Sequence, residues 1–167
     1  MPRALVVIDV QNDYFPGGVL PLHAAQETES RIAQAIATAR QAGERVVLVR
    51  HVSPLKTGLF AADSHGAEIR PAIRAAAGDA PVVVKQFADA FQETDLATHL
   101  GGIDTLLVCG MMTQNCVVFT AMSTDAQSFR VTVLEDLCAA PSDIVHRIAL
   151  NALRSKLTVC PSSEIWA

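Results

Sequence analysis

A chain of 167 residues can bury the core of one domain, and half of its residues are hydrophobic, which excludes a disordered chain. The formal charge of −4 comes with no Lys/Arg-rich block, so no nucleic-acid partner is expected, and no apolar run approaches a membrane span. Met1-Pro2-Arg3 leads directly into a strand-like run without a secretory h-region, and Cys109, Cys116, Cys138 and Cys160 lack CxxC spacing; a reduced, cytoplasmic protein is expected.

Short apolar runs alternate with helical patterns, the signature of βαβ units and a parallel sheet. Ala4 to Ile8 reads as a buried strand ending in Asp9. Residues 24 to 42 read as a helix, with Ile32 and Ile36 one turn apart and Gly43 as its stop. Arg45 to Val49 forms a second strand, ending at Arg50-His51, and 52 to 66 reads as a surface loop of lid length. A short helix over 68 to 77 leads to a third strand, Pro81 to Val84, ending in Lys85. Thr94 can cap a helix containing Leu96 and Leu100, which Gly101-Gly102 ends. A fourth strand spans Ile103 to Cys109, a helix is expected from about Thr113 to Ser128, and Arg130 to Leu134 makes strand five. Ile144, Val145, Ile148, Ala149, Ala152 and Leu153 form the stripe of the last helix, before strand six at Lys156 to Val159. No repeat or linker interrupts the pattern, so a single domain over 1–167 is expected.

Parallel sheets gather functional groups at the carboxyl ends of their strands. Those ends carry Asp9, Arg50-His51, Lys85 and the Gly110 turn that leads to Cys116. Taken singly, Asp9 is as readily a turn cap, Lys85 a surface cation and Cys116 a core thiol. Together they make a nucleophilic site. The carboxylate can take the thiol proton, the ammonium can stabilise the charges, and a helix start at Cys116 would favour the thiolate and offer N–H groups to an oxyanion.

Asp9-Val10-Gln11-Asn12-Asp13-Tyr14-Phe15 resembles the opening motif of the isochorismatase-like hydrolases. Lys85 with Phe91, Thr94 and Leu96 resembles their lysine segment, and Cys109-Gly110-Met111-Met112-Thr113-Gln114-Asn115-Cys116-Val117 their nucleophile segment. The motifs follow in the family's order, and the likeness runs from Asp9 to about Val159. It implies a three-layer α/β/α fold with a six-stranded, mainly parallel sheet ordered 3-2-1-4-5-6. It also implies Cys116 as nucleophile, Asp9 as acid–base and Lys85 as third triad member, reaching in from farther out. A cis peptide at Met111-Met112 would aim the N–H groups of Met112 and Cys116 at the oxyanion. Tyr14 matches a pocket-lining aromatic, Phe60 in the 52–66 loop is a further candidate to face the substrate, and Phe91 either faces the substrate or packs in the core.

Two departures narrow the substrate. Nicotinamidases of this superfamily carry a metal-binding Asp-x-His after the second strand, where this chain has Val49-Arg50-His51, and His65 stands alone; no metal is expected. True isochorismatases, which cleave a vinyl ether, lack the nucleophilic cysteine, so Cys116 points to amide, carbamoyl or ureido substrates. No organic cofactor is implied, and the family's habit suggests a homo-oligomer, dimer or tetramer. Among rivals, a dinucleotide fold lacks its G-x-G-x-x-G turn and an aspartyl phosphatase its second acid, since Gln11 stands there. A non-catalytic protein that keeps the fold, or a redox role for Cys116, remains as the alternative.

Overall fold

The computed structural model describes all residues, 1–167. Six strands, β1 (Arg3–Ile8), β2 (Arg45–His51), β3 (Val82–Lys85), β4 (Thr105–Met111), β5 (Arg130–Ala139) and β6 (Thr158–Cys160), form one sheet in the order β3-β2-β1-β4-β5-β6. Every pairing is parallel, as the implied topology requires. The β-branched runs suit a sheet covered on both sides, because a strand buried on two faces needs no polar alternation. Side chains nevertheless alternate in destination. Leu5 and Val7 of β1 pack with α1 (Ala25–Gln41) and α2 (Pro71–Ala77) through Ile32, Ile36 and Ile73. Ala4, Val6 and Ile8 face the other layer, which α3 (Leu96–His99), α4 (Val118–Ala121) and α5 (Asp143–Arg154) border, and pack there with Leu96, Leu100, Leu150 and Leu153.

Most element ends fall close to their expected positions. Pro71 starts α2, three residues later than expected, where its missing N–H costs nothing. Ser142 caps α5 by accepting from Val145 N. Thr94 accepts from Leu96 N at the start of α3.

The expected helix from Thr113 to Ser128 is broken into three pieces. A π-helical turn spans Thr113–Val117, α4 adds one turn, and a 3-10 segment covers Thr124–Ser128. Hydroxyl side chains along it bind distant parts of the chain. Thr113 Oγ1 pairs with His146 Nδ1 at 2.8 Å, Thr120 Oγ1 accepts from Ala90 N at 2.9 Å, and Ser123 Oγ donates to Asp89 Oδ2 at 2.7 Å. β5 extends five residues beyond its expected end, to Ala139, past a register shift opposite Val108 and Gly110.

Candidate active site

The two central strands, β1 and β4, bring the opening motif and the nucleophile segment together. Gly110 sits at φ +117° opposite Ile8, and a Cβ there would collide with the Ile8 backbone. Only glycine lets β4 lie this close to the residue before Asp9. Asp9 itself turns the chain at φ +50°, a region that Asp tolerates better than most residues.

Lys85 solves a reach problem. Strand spacing sets β3 roughly 10 Å from β1, with β2 between them and His51 in register with Lys85. The extended side chain crosses that gap along the carboxyl ends of the strands. Its Nζ lies 2.9 Å from Asp9 Oδ2, 2.9 Å from His51 Nδ1, 3.0 Å from Phe87 O and 3.4 Å from Cys116 Sγ. Asp9, Lys85 and Cys116 are 0%, 1% and 3% exposed, so the three groups from distant stretches of chain meet almost out of water.

The ammonium stands close to Asp9 Oδ2 but off the hydrogen-bonding direction, and neither Asp9 oxygen has an aligned donor. A buried carboxylate left in that state can accept from a group that enters the site. One atom from each of Asp9, His51 and Cys116 falls within 4.8 Å of the others, close enough to share a cation. The Lys85 ammonium touches all three side chains and is that cation.

Burial, followed by the charge of Asp9, pushes the Cys116 thiol up to about 12, against the opposing pull of Lys85. Cys116 lies in a π-helical turn that runs on into α4, not in the first turn of one long helix, and burial opposes the thiolate that the expected helix start would favour. Its attack needs a base at hand, and Asp9 is adjacent. The Met111-Met112 peptide is cis, and the Met112 N–H bonds no protein group.

Tyr14 packs edge-on to Phe60 with ring centroids 4.8 Å apart, and burial and the nearby Asp9 raise its phenol pKa. Phe60 is buried and held by its backbone, its N–H donating to Asp13 Oδ2 at 2.7 Å. Of the two readings of Phe91, the structure shows core packing: the ring stacks on Phe129 at 6.4 Å among the buried residues of its layer. Phe87, half-exposed and bonded through its carbonyl to Lys85, was not singled out by sequence reasoning. Nor were Gln11 and Asp13 given roles. Gln11 brackets the end of β2, donating to His51 O and accepting from His51 N. Asp13 packs against Gly18 and Gly66 so closely that a Cβ at either would overlap it. One usable signal was present in the sequence, that Arg50-His51 ends its strand as Lys85 ends the next one; the structure adds that His51 and Lys85 are register partners. A surface hollow of about 740 Å³ beside Met1, Arg3, Glu44 and Gly102 lies at the opposite end of the sheet.

Known proteins share this fold. The isochorismatase domain model matches residues 3–164. The uncharacterized isochorismatase family protein YddQ of Bacillus subtilis is 30% identical, with 99% of each chain covered. An isochorismatase family protein from Desulfovibrio vulgaris superposes with a TM-score of 0.90 at 31% identity, over 98% of this chain and 95% of its own. A cysteine hydrolase from Pseudomonas syringae does so with a TM-score of 0.86 at 25% identity, over 98% and 90%. Sheet order, the cis peptide, the clustered Asp9, Lys85 and Cys116, and a match over nearly the whole length converge: this chain belongs to the isochorismatase-like hydrolase family.

Proposed function

We propose that the protein hydrolyses small amide-like compounds (amides, carbamoyl or ureido compounds) through a covalent acyl-enzyme on Cys116. Asp9 takes the thiol proton as sulfur attacks the carbonyl carbon, and Lys85 balances the carboxylate and the developing thiolate. The N–H groups of Met112 and Cys116 receive the oxyanion. Asp9 then protonates the departing amine or ammonia and activates the water that releases the acid. Tyr14 and Phe60 form walls of the substrate pocket, and the 52–66 loop closes over it.

One observation carries this reading: a buried carboxylate without an aligned donor beside a raised thiol, both within reach of one ammonium. The carboxylate can accept from the N–H₂ of an amide, which an ether substrate lacks. The test is intact-mass spectrometry over a panel of small amides, carbamoyl compounds and ureido acids. An acyl adduct is expected on the protein and not on Cys116→Ala; turnover that survives in Cys116→Ala would refute the covalent route.

We also assign the chain to the cytoplasm as a single-domain dimer or tetramer. Four free, buried thiols support the compartment. Exposed Ile144 and Ile148 on α5, with Phe119 and Met122 on and beside α4, support association. No helix is long and apolar enough to cross a membrane.

A further inference from the structure

His51 was not assigned a role, yet its ring has two distinct faces. Nδ1 lies 2.9 Å from Lys85 Nζ, and an ammonium only donates. Nδ1 is therefore the bare, accepting nitrogen, and the ring carries its single proton on Nε2. Burial and the adjacent Lys85 both hold the imidazole in its neutral form, against the pull of Asp9. Nε2 bonds no protein group, and it is not among the sealed, unbonded side-chain atoms, which are the two Asp9 oxygens and Gln114 Oε1. The ring is fixed on its other sides. Gln11 holds the His51 backbone from both N–H and C=O, and the Phe60 ring lies 5.7 Å away at a tilt of 38°. The result is an oriented donor with nothing to donate to, one ring away from the reacting groups.

We propose that His51, through Nε2–H, recognises a second hydrogen-bond acceptor on the acyl side of the substrate, one or two bonds beyond the scissile carbonyl. The inference rests on the cysteine-hydrolase reading and deepens it. It narrows the substrate class to amides whose acyl fragment carries another oxygen there, as in 2-oxo amides and oxamates. Simple alkyl amides would leave the donor unpaired in a half-buried site, which lowers their reaction rate relative to acceptor-bearing ones. The same ring supports Lys85 through Nδ1, so His51 combines recognition on one edge with positioning on the other.

Two alkylating reagents separate these edges without knowledge of the natural substrate. Iodoacetamide places a carbonyl acceptor one bond beyond the carbon that sulfur attacks, and iodoethane has none. Labelling of Cys116, followed by peptide mass, gives a rate ratio for the two reagents, corrected by the ratio for free cysteine. The corrected ratio should exceed one in the native protein. It should fall on the order of tenfold in His51→Asn, whose amide still accepts from Lys85 but has no group at the Nε2 position. His51→Gln, whose amide N–H₂ reaches that position, should keep most of it. A ratio unchanged in His51→Asn, or a native ratio equal to that of free cysteine, overturns the recognition role and leaves the hydrolase reading standing. An equal fall in both variants assigns the effect to ring packing against Phe60 and overturns it as well. Failure of iodoacetamide to label native Cys116 overturns the hydrolase reading and this inference with it.

Discussion

Strand β1 carries an ion pair at each end, and the two differ in nearly every respect. At the amino end Arg3 pairs with Glu44, whose second oxygen accepts from Trp166 Nε1 at 3.1 Å; the Arg3 side chain is 32% exposed. Water reaches that pair, its partners are aligned, and it ties the C-terminal segment and the start of β2 to the sheet. At the carboxyl end Asp9 and Lys85 are sealed, and the carboxylate lacks an aligned donor. Under the proposed function, the contrast is between a contact that serves the fold and one that serves chemistry. A pair that serves only stability satisfies its own atoms, whereas a reactive pair leaves one unsatisfied until something enters.

The strongest break in this comparison comes from the reacting atoms. Cys116→Ala and Asp9→Asn should each lower kcat by roughly a thousandfold or more on the best amide found by the adduct screen. Cys116→Ala should change Tm little, whereas Asp9→Asn should lower it, because it leaves the Lys85 ammonium buried without a counter-charge. A comparable loss in Arg3→Ala would erase the distinction between the two ends. Lys85→Met should lower kcat by about a hundredfold or more and also destabilise the fold by about 3 kcal/mol, because it leaves Asp9 buried without a counter-charge. Urea melts would show the second effect, and the Asp9→Asn/Lys85→Met double variant should recover most of the stability but none of the activity.

The thiols extend the contrast to pH. Burial raises Cys109, Cys116 and Cys138, the latter two to about 12. Unfolded thiols ionise at about 8.5. Between roughly pH 9 and 12 the unfolded chain therefore binds fewer protons than the folded one, so this contribution is complete below the window and lost across it. Tm should hold level to about pH 9 and then decline, less steeply in Cys138→Ala; a curve equally steep in that variant would count against buried thiols as the cause. The smallest effect belongs to the hydrated pair. Arg3→Ala should cost at most about 1 kcal/mol and leave kcat unchanged, measured by the same melts and assay.

Sequence reasoning found what depends on local pattern and strand order. The apolar runs before Asp9 and Lys85 locate their strands, and the stripe from Ile144 to Leu153 locates α5 within one residue of each end. The grouping of Asp9, Lys85 and Cys116 was legible because parallel strands end on one edge, and the strand order followed from the family likeness. What escaped depends on contacts between distant segments. The helix that carries Cys116 ends early, at Ala121, and the hydroxyls of Thr113, Thr120 and Ser123 bind partners about thirty residues away in the chain. The state of the thiol depends on burial, which periodicity does not report. The meeting of His51 with Lys85 needs the register of β2 on β3 as well as the length of one extended side chain.

Asp13 holds the 52–66 loop through the peptide nitrogen of Phe60, and it packs under glycines at 18 and 66 that have no side chain to offer. That anchorage reads main chain, while the stretch from Val52 to Leu59 adds requirements of its own: Ser53 Oγ accepts from Leu55 N, Gly58 sits at φ +91° and Leu59 packs on the core. A designer who keeps Asp13, Gly18 and Gly66 together with Ser53, Gly58 and Leu59 can exchange the exposed residues between them and expect the loop to land on the same mooring.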